Sequence, residues 1–201
     1  MDDERRLTRE HVLRLGLALP IPLALAASRA SEAFATLEAT PACGAPEDPT
    51  LAQTEGPYFT PRSPRRRSLL TPGLKGTRLV LTGRVLTTRC RPVPNALLDF
   101  WQADANGVYD NDGYRLRGHQ RTDTLGRYRL ETIVPAFYPG RTRHIHVKAQ
   151  APGRPVLTTQ LYFPNVARNR SDGIFDPALL VRGLRHGAER WTARFDFVLD
   201  V

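Results

Sequence analysis

Short segments in which apolar and polar residues alternate follow one another from Thr77 to the C terminus. Successive side chains of a strand point to opposite faces, so this period of two predicts strands that bury one face. The segments are RLVLTGRV, ALLDFWQ, RYRLETIV, RHIHVKAQA, VLTTQLYF and RFDFVLDV, and turn-forming sequences such as RPVPN, DANG and YPG separate them. We therefore predict an all-β fold, an antiparallel β-sandwich domain over residues 77–201, with one short C-terminal helix in DPALLVRGLRH.

The segment before the sandwich, residues 31–76, is rich in proline, alanine and charged residues. Its stretches PACGAPEDPT and TPRSPRRRS predict a mostly irregular N-terminal arm, which also contains TEGPYF. A chain of 201 residues, with 41% hydrophobic and 24% charged residues, has the size and composition of one globular domain with a tail.

Residues 1–30 have the features of an export signal. Arg5 and Arg6 precede an uncharged run, Leu15–Ala27, that ends in small residues, and the paired arginines resemble a twin-arginine signal. The run is shorter than the ~20 residues that cross a bilayer, and Pro20 and Pro22 would interrupt a membrane helix. We expect an exported protein, periplasmic or extracellular, without a stable membrane anchor; the alternative is an amphipathic N-terminal helix that lies on the domain.

The net charge and the two cysteines limit the partners and the compartment. The charge of +9 comes from 29 lysines and arginines against 20 acidic residues, but the basic residues are scattered apart from the run at residues 65–67. No nucleic-acid motif accompanies them, so we expect a basic surface rather than nucleic-acid binding. Cys43 and Cys90 could form one disulfide in an exported protein or remain two thiols, and the sequence leaves both open.

An H-x-H pair in the predicted strand RHIHVKAQA is the first candidate for a metal site. His144 and His146 point to the same face, and two neutral imidazoles at this spacing form a metal-binding edge, although two polar residues on an edge strand would show the same pattern. Tyr138, before a Pro-Gly turn, adds a phenol near the strand. Tyr109, which follows the DANG turn, is the preferred second phenol. The remaining tyrosines are Tyr58, Tyr114, Tyr128 and Tyr162.

Five segments in order resemble the intradiol ring-cleavage dioxygenases, the family that includes protocatechuate 3,4-dioxygenase. They are TEGPYF, VPNALLDFWQADANGVYD, RGHQRTDTLGRYRLETI, YPGRTRHIHVKA and TTQLYFPN, and together they cover roughly Thr54 to Asn165. The resemblance implies a β-sandwich core and non-haem Fe(III). By position, it implies the metal ligands Tyr109, Tyr138, His144 and His146.

The resemblance also implies an activity and further site residues. The family inserts both atoms of O2 into a catechol-type ring between the two hydroxylated carbons and releases a cis,cis-muconate-type product, with no organic cofactor. Tyr138 corresponds to the ligand that the substrate displaces, Arg141 to an arginine that stabilises negative charge, with Arg143 as a competitor, and Gln160 to a glutamine that lines the pocket. The segment next to the substrate corresponds to Thr54, Gly56, Pro57 and Tyr58.

Two other functions would explain parts of the sequence. A cupin-like H-x-H protein would need a carboxylate ligand, but no glutamate occurs in the four residues after His146. A secreted β-sandwich could bind catechols or a polymer without turnover. His119 and His186 have no metal-ligand spacing to the pair and are expected to be surface or hydrogen-bonded residues. Which catechol is the substrate and whether the protein forms a homo-oligomer stay open.

Overall fold

Each of the six alternating segments contains a strand in the computed structural model, which describes residues 48–201 and has nine strands there. The predicted export signal and Cys43 lie outside the described residues. The strands are β1 (Arg78–Thr87), β2 (Leu97–Trp101), β3 (Arg117–Arg121), β4 (Arg127–Ile133), β5 (His144–Gln150), β6 (Leu157–Tyr162), β7 (Arg182–His186), β8 (Arg190–Arg194) and β9 (Phe197–Leu199).

Two sheets pack face to face. The first has four antiparallel strands in the order β3-β2-β5-β6, and the second has the order β4-β1-β8-β7, with β9 also paired to β1. The predicted all-β sandwich is therefore confirmed. One detail differs, because β1 runs parallel to both β8 and β9 although it is antiparallel to β4. After β8 ends, β9 continues in the same direction along β1, so both parallel pairs follow from one passage of the chain.

The main core fills the space between the sheets. Leu81 of β1, Leu98 of β2, Ile145 of β5 and Phe197 of β9 are all fully buried there. The opposite face of the four-stranded sheet carries a second, smaller cluster of Trp101, Ala103 and Tyr109, against which Tyr58, Phe59 and Tyr138 pack. Alternation along β2 and β5 thus sends one set of side chains into the core and the other set onto an outer face.

The arm covers this outer face as an extended segment. Residues 48–76 contain no strand, but their backbone bonds to several strands in turn. The amide of Gln53 donates to Thr158 of β6, and the amide of Arg66 donates to His119 of β3, both at 2.8 Å. The arm therefore crosses the four-stranded sheet from one edge strand to the other.

The predicted C-terminal helix is present only as a three-residue 3₁₀ turn. Pro177–Leu179 forms this turn, and Asp176 caps it by accepting a hydrogen bond from the Ala178 amide at 2.8 Å. The segment ends in β7, where Gly183 adopts φ +57°, a conformation that a regular right-handed helix does not allow. A second 3₁₀ helix spans Ala167–Ser171.

Two further findings concern helix length and the cysteine at position 90. Within residues 48–201, no helix combines the length and the apolar character needed to cross a bilayer. Cys90 is disulfide-bonded, so its thiol is not free.

Candidate metal centre

Strand pairing places three functional side chains in one row on the outer face. His146 of β5 is paired with Trp101 of β2 on one side and with Gln160 of β6 on the other. Paired residues in a sheet share a face and lie side by side. The Trp101 indole consequently stacks on the His146 ring, with centroids 4.7 Å apart and planes inclined by 7°.

The two imidazoles converge on one point. The Nε2 atoms of His144 and His146 lie 3.1 Å apart, and both rings are almost completely buried. His144 Nδ1 lies 2.7 Å from the carbonyl oxygen of Thr142. Because a carbonyl only accepts, Nδ1 carries the hydrogen, and the lone pair of His144 is left on Nε2, which faces the centre.

Tyr109 supplies a phenol oxygen to the same point. Its hydroxyl lies 3.3 Å from His144 Nε2, and its ring is buried. The DANG turn holds it there, since the Asp104 carboxylate accepts hydrogen bonds from the amides of Asn106 and Val108 at 2.8 and 3.0 Å. The turn approaches the Tyr138 segment closely: a Cβ on Gly107 would lie 2.1 Å from the carbonyl oxygen of Phe137. Glycine is therefore required at this position.

Tyr138 reaches the site from a tight turn. The amide of Arg141 donates to the Tyr138 carbonyl at 3.0 Å, and Gly140 has φ +80°, as expected for a turn with proline second and glycine third. The Tyr138 ring lies 5.7 Å from that of Tyr109 and 5.6 Å from that of His144, measured between centroids. Tyr138 is half-buried, whereas Tyr109 is buried.

The arm adds a third phenol and closes the site. The ring of Tyr58 stacks on that of Tyr109, with centroids 4.4 Å apart and planes inclined by 16°. Arg117, which is buried, donates to the Tyr58 carbonyl at 2.5 Å and to the Asp110 carbonyl at 2.6 and 2.9 Å. One guanidinium thus ties the arm to the loop that carries Tyr109.

Arg141 is held at the edge of the site by hydrogen bonds and an ion pair. Its Nε donates to both carboxylate oxygens of Asp172 at 2.9 and 3.1 Å, and its Nη2 donates to Gln160 at 2.5 Å and to Tyr162 at 3.2 Å. Its Nη1 lies 3.5 Å from the Tyr138 hydroxyl. Asp172 is itself fixed by the Thr142 amide, which donates to it at 2.8 Å.

Burial governs the protonation of the donors. It lowers the pKa of His144 to about 4 and, together with the nearby His144, lowers that of His146 well below its usual value, so both rings are neutral at pH 7. Burial and the neighbouring Tyr138 raise the pKa of Tyr109. Two neutral imidazoles can bind a cation directly, whereas the phenol needs a cation beside it to ionise.

These donors fit a hard trivalent metal. His144 Nε2 lies 3.1 Å from His146 Nε2 and 3.3 Å from the Tyr109 hydroxyl, and the Tyr138 ring packs beside those of His144 and Tyr109. In the described part of the chain, no three His, Cys, Asp or Glu side chains form a cluster that could hold a metal. A metal here would depend on tyrosinate oxygens, which favour Fe(III) over Fe(II) or zinc.

The structure brings most of the predicted substrate-side residues to this centre. Gly56 lies against His146, since a Cβ on it would be 3.5 Å from the imidazole, and the Thr54 carbonyl accepts from Gln160 Nε2 at 2.9 Å. Pro57 is exposed. Arg143 does not join the site: its guanidinium lies over the ring of Phe137, at 4.6 Å from the centroid.

Three residues of the site were not singled out from the sequence. Asp172 orients Arg141, Arg117 ties the arm to the Tyr109 loop, and Trp101 supports His146. The register of Trp101 opposite His146 follows from pairing β2 with β5. Asp172 lies 31 positions from Arg141 and Arg117 lies 59 positions from Tyr58, and no local pattern marks either residue.

This geometry defines a class of protein, a β-sandwich that carries histidine and tyrosine donors for a metal on the outer face of one sheet. The family model Dioxygenase_C, described as Dioxygenase, matches residues 54–200. The chain belongs to the intradiol ring-cleavage dioxygenase family. The resemblance of the five sequence segments is thereby confirmed.

Solved structures in this family share the fold. The dioxygenase domain of a dioxygenase and carbohydrate-binding protein fusion from Streptomyces sp. SirexAA-E is 58% identical, with a TM-score of 0.74 over 77% of this chain and 99% of that one. The 3-chlorocatechol 1,2-dioxygenase of Rhodococcus opacus 1CP is 31% identical, with a TM-score of 0.69 over 75% of this chain and 72% of that one.

Curated relatives are longer than the matched region. Hydroxyquinol 1,2-dioxygenase of Nocardioides simplex is 30% identical over 64% of this chain and 52% of its own length. The protocatechuate 3,4-dioxygenase beta chain of Burkholderia cepacia is 37% identical over half of each chain. The chain therefore spans about half the length of these two relatives.

Replacing Asp172 tests whether the ion pair with Arg141 supports the fold. The two side chains are 1% and 15% exposed, so Asp172→Ala would leave a poorly solvated guanidinium and the Thr142 amide without an acceptor. We expect the free energy of unfolding in urea to fall by about 3 kcal/mol. Glu131→Ala breaks the ion pair between Glu131 and Arg129, whose side chains are 38% and 44% exposed. This variant should lower the free energy of unfolding by less than about 1 kcal/mol. Equal losses in the two variants would contradict this.

Proposed function

We propose that this protein is a non-haem Fe(III) intradiol dioxygenase. It would insert both atoms of O2 into a catechol-type ring between the hydroxylated carbons and give a cis,cis-muconate-type product. The observation that carries the proposal is the convergence of His144, His146 and Tyr109 within 3.3 Å, beside Tyr138, in a member of this family. Relatives named as catechol, hydroxyquinol and protocatechuate dioxygenases support the substrate class.

The four proposed ligands would contribute differently. His144 and His146 are rigid, since the Thr142 carbonyl fixes one ring and the Trp101 indole supports the other. Tyr109 is buried and stacked under Tyr58. When bound, ferric iron would hold the substrate oxygens and draw electron density from the ring, making its carbons reactive towards O2.

Tyr138 is the ligand best suited to give way to the substrate. It lies on a turn and is half-buried, whereas the other three are buried. A Tyr138 phenolate that leaves the centre can accept one hydroxyl proton of the catechol at its oxygen, so a catechol monoanion takes the place of the departing phenolate and the net charge of the site does not change. The exchange thus avoids placing an uncompensated charge in a poorly solvated site.

Arg141 would stabilise the negative charge that develops near the substrate oxygens. Its Nη1 lies 3.5 Å from the Tyr138 hydroxyl, and its other donors are already committed to Asp172, Gln160 and Tyr162. A cation held in place before the reaction needs no reorganisation when charge appears. The pKa of Arg141 supports this role: burial alone would lower it, but Asp172 more than offsets burial and raises it, so the group stays charged.

The arm would restrict access of water to the centre. Tyr58 stacks on Tyr109, and Gly56 brings the arm backbone against the His146 ring. Arg117 and Gln160 anchor this cover by donating to the carbonyls of Tyr58 and Thr54. We propose that this cover forms one side of the substrate pocket.

We also propose that the protein is exported by a twin-arginine route. The signal-like residues 1–30 support this, and so does the disulfide at Cys90, because disulfides persist mainly in oxidising compartments. Sequencing the N terminus of protein secreted by the native host should show a chain that begins near residue 30. A mature chain that still begins at Met1 would contradict export by this signal.

Iron content and colour test the ligand set. Protein reconstituted with Fe(III) should be burgundy-red, because tyrosinates transfer charge to ferric iron, and should hold one iron per chain. Tyr109→Phe removes one oxygen donor and should abolish the colour and weaken iron binding. Tyr114→Phe is the matched control, since its hydroxyl only donates to the Pro61 carbonyl at 3.0 Å, and it should keep both. Colourless wild-type protein after reconstitution would rule out the ferric tyrosinate centre.

Oxygen uptake tests the activity. We expect uptake with at least one of catechol, hydroxyquinol and protocatechuate, with both atoms of labelled O2 in a ring-opened dicarboxylate. Arg141→Gln should lower kcat by about a hundredfold, since a single preorganised charge is worth a factor of this order. Arg154→Gln, an exposed turn arginine at the other end of β5, is the control. Iron-loaded red protein that binds catechols but consumes no O2 would instead support a binding protein.

A further inference from the structure

A second cleft lies away from the metal centre, at one end of the sandwich. The cleft has a volume of about 280 Å³ and lies between the end of β6 and the hairpin of β7 and β8. We name it the Arg143 cleft. Its principal lining residues are Phe137, Arg143, Phe163, Leu184, His186 and Trp191.

The guanidinium of Arg143 has no acceptor in the part of the chain that the structure describes. Its Nε is buried without a hydrogen-bond partner, and none of its other nitrogens donates to a described residue or forms an ion pair with one. Its one described contact is with the face of Phe137. Burial of an unpaired cation is costly, and it lowers the pKa of Arg143. Arginine nevertheless stays charged, so the side chain is available for an anionic ligand.

The rest of the cleft combines aromatic surface with positive charge. The rings of His186 and Trp191 stack with centroids 4.0 Å apart, and Phe163 is buried beside them. A second guanidinium, that of Arg168, lies 5.5 Å from the Phe137 ring. Among residues 48–201, no aspartate or glutamate lines the cleft. A planar ligand with a negative charge suits these surroundings better than a neutral or cationic one.

We propose that the Arg143 cleft is a binding site for an aromatic carboxylate. The carboxylate would accept two parallel hydrogen bonds from the fork of Arg143, a geometry that guanidinium and carboxylate share. The ring would pack against Trp191 and Phe137. The volume, at the low end of ligand pockets, suits a ligand with a single ring.

This site is separate from the proposed catalytic centre, although the two share a segment of chain. Arg143 precedes His144, and neighbouring residues at the start of a strand point to opposite sides of the sheet. His144 faces the arm, whereas Arg143 faces β7 and β8. Phe137 likewise precedes Tyr138. The proposal therefore does not depend on the proposed function.

Binding of benzoate to the full-length protein, loaded with iron, tests the proposal. Titration calorimetry and quenching of tryptophan fluorescence should report binding, while the visible absorption band should stay unchanged because the metal centre is not involved. Benzamide, which has the same ring without the charge, and acetate, which has the charge without the ring, should each bind more weakly. A shift of the visible band that saturates together with calorimetric binding would place benzoate at the metal and overturn the proposal.

Variants locate the binding. Arg143→Gln should weaken benzoate binding by about ten- to a hundredfold, the value of a charged hydrogen-bond pair. Arg143→Lys keeps the charge without the fork and should have an intermediate effect, and Arg154→Gln should have none. Should Arg143→Gln not fold, the lysine variant and the comparison of benzoate with benzamide on unaltered protein still decide the question. Equal affinity for benzoate and benzamide, or no benzoate binding at millimolar concentration, would contradict the proposal.

Discussion

The pairing register of β5 between β2 and β6 is the constraint on which the candidate centre depends. It places His146 between Trp101 and Gln160 and leaves Ile145 and Val147 in the main core. A slip of one residue would turn both imidazoles into the core and the aliphatic side chains outwards. Burial of that apolar face therefore fixes the position of the imidazoles before any ligand is present, and the site inherits its rigidity from the sandwich.

Loops supply the donors of the candidate centre that the sheet does not, and buried polar contacts hold these loops in place. The close approach of Gly107 to Phe137 joins the turns that carry Tyr109 and Tyr138. Arg117 and Arg141 perform related tasks on two sides of the centre, because each guanidinium binds backbone or side-chain oxygens from segments distant in sequence. A fork of fixed geometry can do this where a flexible ammonium group could not. The irregular segments around the site are thus ordered by a few directional contacts.

The sequence predicted the parts of this structure that depend on local periodicity. Alternation predicted six of the nine described strands, and the same alternation put His144 and His146 on one face. Turn chemistry predicted that Tyr109 follows one turn and Tyr138 begins another. It could not choose between Arg141 and Arg143 as the residue beside Tyr138, because the choice depends on Asp172, 31 positions after Arg141. The parallel pairing of β1 with β8 is equally non-local, since the residues of each strand would alternate in the same way in either direction.

The electrostatics of the centre explain why so many polar groups are tolerated there. Tyr109, His144 and His146 are all buried, and burial pushes each of them towards its neutral form. Neutral imidazoles with converging lone pairs do little to stabilise the fold by themselves. The same is true of phenols that ionise only beside a cation. On the proposed function, one bound cation would use both sets of groups together, because it accepts the lone pairs and stabilises the phenolates. Metal binding would then offset the free-energy cost of burying these polar groups, and the apparent stability of the protein would depend on the metal.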